Sequence, residues 1–64
     1  MNVKIARIKA GLTQKQLAEK VGLSNVTIVK IEKGNYDNIT KSTMIALAKA
    51  LNSDVQTLFF SDEE

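Results

Sequence analysis

The feature that most restricts the fold is a pair of helix boundaries set close together. Thr13-Gln14-Lys15-Gln16 places a Thr N-cap three residues before a Gln. That is a capping box, in which two side chains satisfy N–H groups that a helix start leaves unpaired. Leu17, Ala18 and Val21 then recur on one face at helical spacing. Gly22 can take the left-handed backbone of a sharp exit. Ser24 follows almost at once as a second N-cap, and Asn25 to Lys33 reads as the next helix, closed by Gly34.

Two helices joined by three or four residues around a glycine form a helix-turn-helix, here running from Thr13 to Lys33. The rest of the chain continues the pattern, so the expected fold is all-α, a compact domain of five short helices. A first helix covers about Val3 to Lys9 and stops before Gly11. After a polar loop, Asn35 to Ile39, Thr40 caps a helix from Lys41 to Leu51 that turns Met44, Leu47, Ala48 and Leu51 inward. Ser53-Asp54-Val55-Gln56 reads as another capping box, opening a last helix with Val55, Leu58 and Phe59. Residues 1–60 form the expected domain, and Ser61 to Glu64 an acidic tail that frays.

A 64-residue chain has room for one domain with a marginal core. There is no Cys for a disulfide, no Cys/His set for zinc and no Pro to stiffen loops, so helix packing must supply the stability. A hydrophobic fraction of 44% fits a folded chain. The longest apolar runs fall far short of the roughly 20 residues of a membrane span, and the N-terminus lacks the apolar region of a signal peptide. A cytoplasmic protein with no membrane contact is expected.

Net charge is only +2, but it is unevenly placed. Residues 1–50 hold all nine Lys and Arg against three acids, Glu19, Glu32 and Asp37, a net of +6. The last fourteen residues hold four acids and no base. A basic body with an acidic end suits a polyanion-binding face, though a solvated surface of mixed charge has the same composition.

The third helix separates these readings. At about 100° per residue, Ile28 and Ile31 project to one side while Asn25, Val26, Val29, Lys30 and Lys33 occupy an opposing arc. The isoleucines dock the helix. The other arc offers an amide, ammonium groups and branched methyls but no carboxylate. An Asn amide can pair with adenine, Lys can donate to guanine, and Val can meet a thymine methyl. Exposed valines are poor choices for a solvated helix unless something packs on them.

The order Gly11-Leu12-Thr13-Gln14, Gln16-Leu17-Ala18-Glu19-Lys20-Val21-Gly22, Ser24, Thr27-Ile28 and Ile31-Glu32-Lys33-Gly34, with Arg7 before it, resembles the Cro/CI-type helix-turn-helix family of phage and bacterial regulators. The resemblance spans almost the whole chain. It implies a five-helix domain of the lambda-repressor-like type that binds double-stranded DNA, at a near-palindromic operator, as a homodimer. By the same resemblance Asn25, Val26, Val29 and Lys30 reach base edges, and Gln14 contacts a phosphate and braces Asn25. Thr27 is the family's phosphate-contacting hydroxyl, although a helix Thr can equally bond its own backbone. Lys15, Lys33, Asn35, Tyr36, Asn38, Thr40 and Lys41 are further candidates for phosphate contacts, the Tyr36 ring having the alternative of covering the core edge. Arg7 and Glu32 resemble the family's partly buried ion pair between the first and third helices.

No cofactor, metal or small-molecule ligand is expected. Without His, Cys or a second carboxylate near Glu32, an enzyme is rejected, and two Phe and one Tyr give few stacking platforms for single-stranded RNA. The function expected is a DNA-binding transcriptional regulator of the repressor type. The alternative is a protein-interaction module on the same fold, such as an antitoxin-like partner of another protein. Ile5 and Ile8 bear on that choice. They lie off the face of Val3, Ala6 and Ala10, and the last helix is expected to cover them; left exposed, they or Phe60 would offer a contact to another protein.

Overall fold

The structure is a computed structural model and describes residues 2–36 and 39–60, Asn2 as backbone only. Four α-helices are formed: α1 (Asn2–Lys9), α2 (Gln14–Val21), α3 (Asn25–Glu32) and α4 (Lys41–Ala50). A short π-helical turn, Gln56–Phe60, follows. No strand occurs among the described residues. No helix there is long and apolar enough to cross a membrane.

The caps form as their residues dictate. Thr13 Oγ1 accepts the Gln16 N–H at 3.0 Å, and the Thr13 N–H donates to Gln16 Oε1 at 2.8 Å, closing the box on α2. Ser24 and Thr40 cap α3 and α4 through the N–H groups of Thr27 and Thr43. At the other end of α2, Gly22 takes φ 73°, and the Leu23 N–H returns to the Ala18 carbonyl at 2.9 Å. This left-handed exit lets Ser24 start α3 two residues later, and it fixes the angle between the two helices.

α2 packs against α3 and α4, while α1 packs against α3 and the terminal π turn. Their inward residues make one core: Val3, Leu17, Ala18, Ile28, Ile31, Leu47, Ala48, Leu51 and Leu58. Each fully buried aliphatic side chain contributes about 1.5–3 kcal/mol. Leu47, Ala48 and Leu51 turn inward as expected, whereas Met44 is only half-buried. Tyr36 meets Phe59 edge-on, ring centroids 5.3 Å apart and planes at 80°. Its ring covers the core edge.

Two expectations fail at the C-terminal end. The capping box of Ser53 and Gln56 needs the Ser53 N–H as donor to the Gln side chain. That N–H is already bonded to the Ala48 carbonyl at 2.8 Å, because Asn52 at φ 53° closes α4 with a left-handed residue. The start of the next element therefore moves on by one. Asp54 Oδ1 accepts the Thr57 N–H at 2.9 Å, and the turn that follows is π-helical. The second failure concerns Ile5 and Ile8, which remain 51% and 57% exposed. The five-residue turn packs on α1 but leaves an open cavity of about 490 Å³ between them, bordered by Ile5, Ala6, Thr57 and Leu58.

The Asp54 cap gives a pH-dependent contribution. Hydrogen bonds from the Thr57 hydroxyl and then the Thr57 N–H hold this carboxyl below its ordinary range. A depressed folded-state pKa stabilises above the unfolded value, near 3.9, and the gain is lost as pH falls through the folded value. In thermal melts from pH 5 to pH 2, the difference in Tm between wild type and Asp54→Ala should narrow as pH falls. A constant difference would show that the charge does not contribute.

Candidate nucleic-acid interface

α3 is docked by Ile28 and Ile31, both buried, and this leaves Asn25, Val26 and Lys30 exposed. Val26 is 62% exposed. Val29, expected to share that exposure, is half-buried. It stands three residues before the buried Glu32, whereas Asn25 on the same stripe is exposed at the other end of α3.

Glu32 is only 5% exposed and is the only carboxylate of α3. Arg7 of α1 donates to it twice, from Nε to Oε2 at 2.6 Å and from Nη2 to Oε1 at 3.4 Å. Arg7 Nη1 also bonds the Leu12 carbonyl at 2.8 Å. A third donor reaches the same carboxylate, Gln14 Nε2 to Oε1 at 3.0 Å. The expected brace from Gln14 to Asn25 is thus replaced by one to Glu32, because an ionised carboxylate is a stronger acceptor than an amide carbonyl. The acid is turned inward and neutralised, so the outer face of α3 presents no negative charge.

Thr27 is drawn into the cap of α3, its N–H donating to Ser24 Oγ at 3.1 Å. Its hydroxyl lies 2.8 Å from Ser24 Oγ, joining the cap and not the carbonyl of the preceding turn. At α4 the Thr40 hydroxyl accepts the Thr43 N–H at 3.2 Å and donates to Thr43 Oγ1 at 3.0 Å. None of α2, α3 and α4 has an acid in its first turn. Their N-terminal partial positive charges are therefore unopposed from within. Lys15 and Lys41 stand exposed in the first turns of α2 and α4, and Lys33 is exposed at the C-cap of α3.

A concavity of about 110 Å³ joins α3 to the start of α4 and brings together Thr27, Lys30, Asn35 and Thr43. Of these, Thr43 was missed by sequence reasoning. Its position three residues after the Thr40 cap was the available signal. Asn38 lies outside the described residues. Among the described residues no group of three or more His, Cys, Asp or Glu could hold a metal ion.

Comparison with known proteins agrees with this geometry. The helix-turn-helix family model matches residues 3–58. An HTH-type transcriptional regulator of Archaeoglobus fulgidus is 41% identical over 58 residues, covering 91% of this chain and 81% of its own. The control protein C.SmaI of Serratia marcescens is 46% identical over 57 residues, covering 89% of this chain and 67% of its own. The HTH-type transcriptional regulator YgzD of Bacillus subtilis is 36% identical over 64 residues, covering 97% and 92% respectively. No solved structure gives a significant match.

Proposed function

Since the chain belongs to the helix-turn-helix family of DNA-binding transcriptional regulators, we propose that it is a sequence-specific repressor of the Cro/CI type whose α3 enters the major groove. The observation that carries this is the exposed, carboxylate-free face of α3, with its only acid buried against Arg7. In this reading residues 1–60 are the DNA-binding domain and 61–64 an acidic tail. Asn25, Val26, Val29 and Lys30 read base edges, Asn25 and Val26 deepest because the N-terminal end of such a helix enters the groove. Gln14, Lys15, Thr27, Lys33, Asn35, Tyr36, Asn38, Thr40 and Lys41 contact phosphates.

The protein acts as a homodimer on a near-palindromic operator, with half-sites one helical turn, about 34 Å, apart. The domain's longest extent, 27 Å, allows two copies to sit side by side at that spacing. Selection from random duplexes followed by sequencing tests the proposal. A defined, near-palindromic motif is expected, and the absence of enrichment would reject it.

Two measurements separate reading from anchoring. Asn25→Ala or Lys30→Ala should weaken binding to the selected site by about 1–3 kcal/mol and affect random duplex much less; equal losses on both would remove them from the base-reading set. Lys15→Ala or Lys41→Ala should shallow the dependence of log K on log salt by about one unit, and an unchanged slope would exclude a phosphate contact.

The second reading, a protein-interaction module, is favoured by one observation. Ile5, Ile8 and Phe60, none of them on α3, are each more than half exposed. It predicts failure of the duplex selection.

A further inference from the structure

The core leaves one face of α1 unused. At about 100° per residue, Lys4, Ile8, Ile5 and Lys9 follow one another around an arc of about 140°, two isoleucines between two lysines. All four are exposed. Arg7, which ties α1 to α3, lies about 160° around the helix from Ile5. α1 contains no acid, and among the described residues neither Lys4 nor Lys9 has an ion-pair partner. Beside Ile5, the open cavity of about 490 Å³ extends the apolar surface inward. Ile5, Lys9 and Ala10 line it from α1, and Leu51 and Leu58 from the C-terminal end; Lys9 is the only charged residue on its described wall.

We propose that this face and its cavity dock an acidic amphipathic helix of a partner protein. Charge sets the chemistry of the occupant. Lysines border the isoleucines on both sides, so the matching surface is an apolar stripe with carboxylates along both edges. Spacing sets its conformation. Ile5 and Ile8 are about 4.5 Å apart along the helix axis, which residues three apart on a second helix reproduce, whereas an extended segment repeats a face only every 6.6 Å or so. Helix-in-groove recognition works through such anchors, one of which enters the cavity beside Ile5. Nucleic acid would use the two lysines and leave the isoleucines in water. A second copy of the same face would set lysine against lysine. The inference does not rest on α3 reading DNA, since the Ile5 side of α1 is turned away from the Arg7 link to that helix.

The probe is a synthetic helical peptide of about 15 residues with Leu on one face and Glu along both borders. Titrated into isotope-labelled protein, it should shift the backbone amide resonances of Ile5, Ile8, Ala10 and Leu58 and leave that of Lys30 in place. Ile8→Ser, at an exposed site, should weaken binding about tenfold, and Lys4→Glu combined with Lys9→Glu about threefold to tenfold. A peptide with Lys in place of Glu should bind at least about tenfold more weakly, a control that needs no variant protein.

Absence of binding, or shifts confined to α3, would overturn the proposal. So would unchanged affinity in Ile8→Ser, or equal affinity for a peptide with Ser in place of Leu, which would reduce the contact to charge alone. Two further measurements identify a different occupant. Binding to phosphatidylglycerol vesicles that Ile8→Ser abolishes, with no binding of the peptide, would overturn the proposal in favour of an anionic lipid surface. In sedimentation without peptide, a dimer that Ile8→Ser converts to monomer would overturn it in favour of a second copy of this chain.

Discussion

Arg7→Met should leave the domain largely unfolded at moderate temperature. Glu32 would remain almost wholly buried with only Gln14 as donor, and breaking a buried ion pair from one side costs about 3–5 kcal/mol. The Leu12 carbonyl would also lose its Arg7 partner. For a chain of this length total stability is about 3–10 kcal/mol, so the loss is comparable to the whole. Tm should fall by on the order of 20 °C, at about 4–8 °C per kcal/mol. The double variant Arg7→Met with Glu32→Leu should recover most of the loss, because no lone buried charge is left. A thermal melt of the three proteins decides the matter. A drop of only a few degrees in the single variant would mean that water reaches Glu32 and the pair is effectively exposed.

The second large effect is expected at Ile28. Its side chain is fully buried where α3 meets α2, and truncation to Ala removes about 2–5 kcal/mol through lost burial and an unfilled cavity. Ile28 points away from the exposed face, so loss of DNA binding should follow the unfolded fraction. At low temperature, where Ile28→Ala still folds, the ratio of selected-site to random-duplex affinity should match wild type. A lower ratio at an unchanged Tm would place Ile28 at the DNA.

The sequence carries much of this because capping is local chemistry. Thr13 with Gln16, Ser24 and Thr40 each satisfy N–H groups within three residues, and Ile28 and Ile31 follow from helical spacing alone. The pair Arg7 and Glu32, 25 residues apart, is legible only through resemblance to a family. Where two local motifs compete for one group, spacing does not decide. Ser53 illustrates this, since its N–H closes α4 and is lost to the capping box. Partner choice at longer range is equally hidden. Gln14 has the right spacing and chemistry to approach α3, but whether it meets Asn25 or Glu32 depends on which acceptor is charged and sequestered. The exposure of Ile5 and Ile8 depends on how closely two distant segments pack, and the π turn leaves an open cavity beside Ile5.

The helices run to only eight or ten residues. Isolated helices of that length are unstable in water, so α3 has no existence apart from Ile28, Ile31 and Glu32 being packed. The surface proposed to read DNA is therefore a cooperative property of the whole domain, present or absent as a unit. The joints are short and most connections local, a topology that closes few large loops and folds in milliseconds or faster. A newly released chain passes quickly from inert to competent, with no long-lived partly formed reading helix in between.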